Sequence, residues 1–413
     1  MIPESQYQID GIMPDRIERP DTESDLQQIL FAETPQQLIL AGNGSKLGMG
    51  NRPEKVDLLL SVARLNGVIE YVPDDLTVTV EAGMIFSDLQ NLVAEQEQFV
   101  PLDPPYSRNA TVGGIVATNS SGSLRHQYGA TRDLVLGLRV FLADGTAIKS
   151  GGKVVKNVAG YDLNKLFIGS FGTLGVISQV CFKLYPKPET ERTMLLTFDS
   201  AKDAATFGRE IHATQLLPAF LNLSLNGLPT TEIDQPCLLV GIDGAAETVS
   251  WQIDQISQMA KHKTTGLGTY SDEQSKNLRL ATRDFPANPN PSLNRLVCRV
   301  NLRPSDLPNF IDTVLESVDV LPQIMALVGK GVIHLAFLHP NDPPTDLVNT
   351  IHNLRTQAVA NRGNLVIESA PVEVKEQIDV WGEVGATLGL MKQIKSELDP
   401  NYRLNPNRFV GQI

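Results

Sequence analysis

The stretch from Asp103 to Ser123, DPPYSRNATVGGIVATNSSGS, limits what this chain can fold into more than any other. It sets small residues (Ala110, Thr111, Gly113, Gly114, Ala117, Thr118, Ser120, Ser121, Gly122) among the buried-type residues Val112, Ile115 and Val116. A flexible linker has no apolar residues that need a core. Small residues let a backbone approach a ligand, with consecutive main-chain N–H groups pointing at a phosphate. Arg108 and Arg125 are the flanking cations. A tight turn packed against a sheet would use the same composition, so this run alone leaves both readings open.

Two further glycine-rich turns adjoin strands. AGNGSKLGMG, Ala41–Gly50, follows the apolar run ending at Ala41, and GSFGTLG places Gly169, Gly172 and Gly175 just before VISQVCFKL. Neither has the spacing of a Walker loop, and the first does not open a long helix as a dinucleotide fingerprint would. Together the turns exceed what hairpins need and point to one extended ligand with phosphates, bound mainly by backbone.

The length of 413 residues predicts two domains. A formal net charge of -12 argues against a nucleic-acid or anionic-membrane surface. Cys181, Cys237 and Cys298 are scattered and suit a reducing compartment, with no spacing for zinc or iron–sulfur ligation. The N-terminus lacks the pattern of a signal peptide and no apolar run spans a membrane. The expectation is a soluble, cytoplasmic chain that reaches a membrane only through partners.

Periodicity predicts a helix over Ser24–Phe31, strands at Gln37–Ala41, Val56–Leu60 and Leu76–Val80, and a helix over Ile85–Gln96. A hairpin follows, Leu134–Leu142 returning through Ala147–Lys149. Short strands with frequent glycine turns indicate α+β rather than a doubly wound parallel sheet. From about Glu189 the order reads strand (Thr193–Phe198), helix (Ala201–Ala213), strands (Ala219–Leu225, Cys237–Ile242) and helix (Ala246–Ala260). It restarts with Arg295–Leu302, Asp306–Ser317, Pro322–Leu327, Val332–Leu338 and Pro344–Ala360, and ends at Asn364–Glu368. Two β-α-β-β-α units of this kind merge into one antiparallel sheet with helices on one face, joined by an exposed segment, Gly266–Asn294.

The run DPPYSRNATVGGIVATNSSG, with RHQYG (Arg125–Gly129), GLRVFLADG (Gly137–Gly145) and GYDLNKLFIGSFGTLGVI, resembles the FAD-binding domain of the vanillyl-alcohol-oxidase/PCMH flavoprotein superfamily. GGKVVKNVAGYDL and the closing IKSELDPNYRLNPNRF resemble the glycolate oxidase subunits, most of all the smaller FAD-binding one. The resemblance implies a PCMH-type FAD-binding domain over 1–188 and a ferredoxin-like-repeat antiparallel-sheet cap over 189–387. A C-terminal segment, 388–413, would return to the flavin domain.

By the same resemblance, Gly42, Asn43, Gly44, Ser45 and Lys46, with Pro104, Gly113, Gly114, Thr118, Asn119, Ser121 and Gly122, would surround the FAD pyrophosphate. Gly172, Thr173, Leu174, Gly175, Val176 and Ile177 would lie at the adenosine end, and Arg125, Tyr128 and Gly129 near the cofactor. Phe171 stands where the family often has Glu. No His occupies the first loop to link the flavin covalently, so non-covalent FAD is expected, and His126 reads as an ordinary loop imidazole.

Relatives that oxidise 2-hydroxy acids carry the cap motif H-x-G-D-G-N-x-H, whose side chains hold a metal or polarise the substrate. The matching residues here are Leu327-Val328-Gly329-Lys330-Gly331-Val332-Ile333-His334, which keep the glycines and the last His alone. A second motif, E-H-G, falls at Glu368-Ser369-Ala370 without its His. No metal site is expected. Lys330 is a candidate point charge for a carboxylate, and His334 a candidate base or simply a polar residue on a sheet face. The reading is a FAD-binding subunit of a multi-subunit glycolate dehydrogenase or oxidase. Its partners would be a larger flavin subunit, an iron–sulfur subunit and a small 2-hydroxy acid as substrate. The alternative is a self-sufficient FAD-dependent oxidoreductase of another small substrate.

Overall fold

A computed structural model describes residues 7–31, 36–152, 162–226, 235–287, 294–339 and 345–413. Most of GGKVVKNVAGYDL, residues 153–161, therefore lies outside the described residues, as does Pro344 at the start of one expected helix. The chain divides into two compact units. The first is Met1–Ser121, Gly129–Lys187 and Glu383–Ile413; the second is Gly122–Tyr128 and Pro188–Gly382.

The first unit begins with β1 (Arg16–Glu18), α1 (Glu23–Leu30), β2 (Leu38–Ala41) and β3 (Leu58–Ser61). Thr22 caps α1 in a reciprocal box with Asp25, which satisfies main-chain donors at both residues. The strands form a three-stranded parallel sheet with β3 central. Leu58, Leu59 and Leu60 are all buried, as the middle strand of a sheet covered on both faces requires. This small parallel sheet was not legible in the α+β pattern, because three- and four-residue strands leave no periodicity to read.

Then come β4 (Val68–Val72), β5 (Thr77–Glu81), α2 (Phe86–Ala94), β6 (Gln98–Phe99), α3 (Val112–Ala117), α4 (Arg125–Tyr128), α5 (Thr131–Leu134), β7 (Val135–Phe141), β8 (Ala147–Gly151), α6 (Asn164–Phe167), β9 (Val176–Lys183) and β10 (Tyr185–Pro186). Of these, α4 belongs to the second unit. A five-stranded antiparallel sheet runs β4-β5-β9-β7-β8. Its apolar positions pack with Leu89 and Val93 of α2 and with Val112, Ile115 and Val116 of α3.

The second unit carries β11 (Thr190–Thr197), α7 (Ala201–His212), β12 (Phe220–Leu225), β13 (Cys237–Gly244), α8 (Ala246–Ala260), β14 (Gly266–Ser271) and α9 (Asp272–Arg283). The pattern restarts with β15 (Asn294–Asn301), α10 (Leu307–Ser317), β16 (Gln323–Leu327), β17 (Val332–His339), α11 (Thr345–Ala360), β18 (Asn364–Ser369) and α12 (Val372–Lys375). One eight-stranded antiparallel sheet results, ordered β14-β11-β13-β12-β16-β17-β15-β18. Alternate residues such as Leu223, Val240 and Leu335 form the core with Phe207, Val249, Phe310 and Ile351 of four helices.

The segment Gly266–Asn294 is not an exposed joint through its described part. It supplies an edge strand paired with β11 and then α9. The Ser275 hydroxyl of α9 lies 2.7 Å from that of Thr193, next to core residue Met194 and so on the other sheet face. Helices therefore cover both faces. The signal was masked because α9 buries only Ser275, Leu278 and Thr282, and β14 is half glycine and polar. The chain closes in the first unit with α13 (Leu388–Leu398). Among the described residues no helix is long and apolar enough to cross a membrane.

Candidate functional site

The glycine-rich turns of the first unit meet in one cleft. Strand β2 delivers Gly42–Leu47 to one wall. Within this loop the main-chain N–H groups of Gly42, Asn43, Gly44 and Ser45 have no acceptor among the described residues. Four adjacent donors without acceptors make an anion-binding concavity. Gly42 is needed for the close approach of the opposite wall: a Cβ there would lie 1.9 Å from Thr111 Oγ1. Lys46 reaches across with its Nζ 2.7 Å from Ser120 Oγ.

The second wall departs from the expected backbone cradle. Residues 112–117 coil into α3, whose first donors are already used. Gly113 N–H donates to Ala82 O at 2.7 Å, and Gly114 N–H to Thr111 Oγ1 at 3.3 Å. Gly113 therefore serves packing, since a Cβ would come 2.7 Å from that of Ala82. Gly114 faces the cleft with only Thr111 Oγ1 near its Cβ direction, and the Thr118 hydroxyl, also on the cleft, donates to Gly114 O.

The third wall is Phe171–Ile177. Phe171 adopts φ +59° and its N–H donates to Ala117 O. Its ring stacks on Phe409 at 5.7 Å with planes 8° apart, and the Arg408 guanidinium sits 5.7 Å from its centroid. Where the family often has a carboxylate, this chain has an aromatic backed by its own C-terminus. Gly172, Gly175, Val176 and Ile177 line the cleft as well.

Thr173 and Leu174 turn inward instead: Thr173 Oγ1 donates to Ser170 O, and Leu174 belongs to the core. Pro104 is buried, Asn119 is exposed at φ +48°, and Ser121 and Gly129 are half-buried; none of these four lines the cleft. Gly122, Arg125 and Tyr128 group with the second unit, where Tyr128 donates its hydroxyl to Asp243 at 2.9 Å. Sequence reasoning missed Asn405 and Arg408, which both line the cleft. Their one signal was the closing RLNPNRF string, whose distance from the glycine loops hid its contact with them.

The candidate cap residues lie on the sheet face opposite the main helical core. His334 Nδ1 is 3.5 Å from Glu368 Oε2, and Arg299 donates to Glu368 Oε1 at 3.1 Å. His334 Nδ1 and Arg299 Nε are buried without a hydrogen-bond partner. Leu327 pairs with Val332, so the positions that carry His and Asn in the motif present only hydrocarbon. Lys330 is exposed. The motif glycines persist for packing: a Cβ on Gly329 would meet the His126 ring at 2.2 Å, and one on Gly331 the Leu302 carbonyl at 2.0 Å. Burial, then Lys330 and His212, holds the His126 pKa down at about 4. Among the described residues no group of three His, Cys, Asp or Glu gathers to hold a metal.

Two family models match this chain: the FAD binding domain over residues 14–151, and the C-terminal domain of FAD linked oxidases over 187–409. The chain belongs to the FAD-linked oxidases. It is 30% identical to glycolate oxidase subunit GlcD of Bacillus subtilis (strain 168), over 98% of this chain and 90% of that protein. Glycolate oxidase subunit GlcE of Escherichia coli (strain K12) is 35% identical over 170 residues, 41% of this chain and 47% of its own. D-2-hydroxyglutarate dehydrogenase of Xanthomonas citri pv. viticola is 26% identical over 96% of this chain and 89% of its own length. A solved structure of alkyldihydroxyacetonephosphate synthase shares the fold at TM-score 0.71 and 15% identity, covering 95% of this chain and 77% of that one.

As a member of this family the chain is an FAD-dependent oxidoreductase. The cleft fits that cofactor on its own chemistry. Four donors without acceptors and the cations Lys46 and Arg408 suit a diphosphate, and Gly42 and Thr111 bring two walls of the cleft into close contact.

Proposed function

We propose that this chain is a FAD-binding subunit of a multi-subunit 2-hydroxy-acid dehydrogenase that converts glycolate to glyoxylate. A larger flavin subunit would bind and oxidise the substrate, and an iron–sulfur subunit would carry the electrons onward. The observation that carries this reading is the pairing of Glu368 with both Arg299 and His334 beside apolar Leu327 and Val332. With the Glu368 carboxylate held by Arg299 and hydrocarbon at positions 327 and 332, this face lacks the first imidazole and the amide of the hydroxy-acid motif. The likeness of 41% of this chain to GlcE, and of nearly the whole chain to GlcD, supports a place among such subunits.

In this reading Gly42–Lys46, Gly114 and Thr118 hold the pyrophosphate, and the Gly172–Ile177 turn the adenosine side. Thr173 and Leu174 support the third wall from behind. The flavin supplies two-electron redox chemistry once bound. The protein binds and orients it, without a covalent link, and excludes water through the close approach of the walls.

A second reading rests on His334 and Arg299, an imidazole and a cation side by side on one sheet face, whose Nδ1 and Nε make no hydrogen bond. They would let the chain act alone on a small 2-hydroxy acid, in line with its likeness to a D-2-hydroxyglutarate dehydrogenase. Purification of the native chain separates the two. Co-elution with a second flavoprotein and a cysteine-rich protein supports the subunit reading. A lone chain that reduces an electron acceptor with a hydroxy acid supports the second.

A further inference from the structure

The C-terminal segment divides by what it touches. Lys395, Asp399 and Arg403 tie it to the body of the unit. Fully buried Lys395 pairs with Asp399 at 2.6 Å and donates to the carbonyls of Thr173 and Leu404. Arg403 donates to the carbonyls of Leu30 and Ala143. None of these three side chains lines the cleft.

Asn405 and Arg408 do line it, and their hydrogen bonds go to its walls. Asn405 Oδ1 accepts from Leu40 N–H at 2.9 Å, just before the first glycine turn. Its Nδ2 donates to Phe171 O at 2.6 Å, at the start of the third. Arg408 donates to the carbonyls of Leu47 and Met49, at the far end of the first turn, and Asn51 N–H returns a bond to Arg408 O. Asn405 adopts φ +45°, a conformation Asn tolerates well.

We propose that Asn405 and Arg408 are positioning residues for FAD, setting the distance between the first and third walls of the cleft, while Lys395, Asp399 and Arg403 only anchor the segment. This rests on the cleft being the FAD site. One amide side chain bonded to both walls fixes their separation, and its loss lets the donors at Gly42–Ser45 drift from the pyrophosphate. Cofactor affinity, not folding alone, is then encoded in the last residues of the chain.

The test compares Asn405→Gly, which keeps the backbone conformation and deletes both bonds, with Arg403→Met, which removes an anchor. Flavin is stripped from wild type and variants, and FAD is titrated back by fluorescence quenching, well below each apoprotein's melting temperature. Apoprotein melting is recorded separately. Asn405→Gly is expected to weaken FAD binding about tenfold or more, whereas Arg403→Met lowers the apoprotein melting temperature and leaves affinity unchanged. A smaller loss of affinity in Asn405→Gly, or an equal loss in Arg403→Met, overturns the proposal. If Asn405→Gly does not fold, Asn405→Asp is judged by the same threshold, since it keeps the acceptor for Leu40 N–H and loses the donor to Phe171 O. Failure of wild-type apoprotein to take up FAD would instead contradict the placement of the cofactor in this cleft.

Discussion

Gly42 and Thr111 stand so close that any side chain at position 42 would collide with the threonine hydroxyl, 1.9 Å from the position of a Cβ. This contact joins the end of a parallel strand to the N-cap of α3, and it sets the width of the slot between them.

Gly42→Ala should therefore force the walls apart. Overpacking of this kind costs about 1–3 kcal/mol, and the flavin content of the purified protein should fall sharply. The ratio of flavin to protein absorbance checks it, and full occupancy would show that the slot does not depend on this contact.

The neighbouring glycines should separate by role. Gly113→Ala presses on Ala82 and should lower the melting temperature of apoprotein and FAD-loaded protein alike. Gly114→Val projects into the cleft and should weaken FAD binding, with a smaller effect on the apoprotein. A bound ligand stabilises by an amount that grows with the logarithm of its affinity, so the FAD-induced rise in melting temperature distinguishes them. It should shrink only in Gly114→Val.

Much of this division was hidden in the sequence. The string TVGGIVATN announces small residues beside a core, but not that they form a helix whose first amides are occupied by Ala82 and Thr111. Conversely, AGNGSK read as a weak glycine turn, yet it carries the donors without acceptors. Elements with long apolar periodicity, such as Ala246–Ala260 and Val332–His339, were legible because burial repeats along them. Asn405 and Arg408 were not, because their partners lie more than three hundred and fifty residues or two hundred residues away, and local pattern carries no such information.

Stability of the second unit should depend on pH through two opposed groups. Burial raises the Asp243 pKa to about 6, with Tyr128 donating to it and Glu191 and Arg279 acting nearby. Between its ordinary value of 3.8 and about 6, the folded state keeps a proton that the unfolded chain has lost, so stability falls as pH rises. His126, held at about 4 against an ordinary 6.5, does the reverse: over that window the unfolded chain binds the extra proton, and stability rises with pH. The two slopes offset each other in the wild type. Asp243→Asn keeps an acceptor for Tyr128 and, relative to wild type, should gain stability progressively as pH rises from about 4 to about 6. Urea unfolding across that range checks it; an unchanged profile would count against the burial of Asp243.

Glu368 should matter to folding more than to chemistry in this chain. Glu368→Ala leaves Arg299 half-buried without its carboxylate, and losing a charged hydrogen bond of this kind costs about 1.5–3 kcal/mol. His334→Ala, in the assembled complex, should change turnover little while FAD content and assembly are preserved. A large loss of turnover in that variant would assign chemistry to this cap.

Anaerobic mixing of the purified, FAD-loaded chain with glycolate or D-lactate shows whether it binds FAD but leaves substrate oxidation to a partner. Its flavin absorbance should stay oxidised when the chain is alone and bleach once the partner subunits are added. Rapid, complete bleaching of the isolated chain by either acid would contradict it.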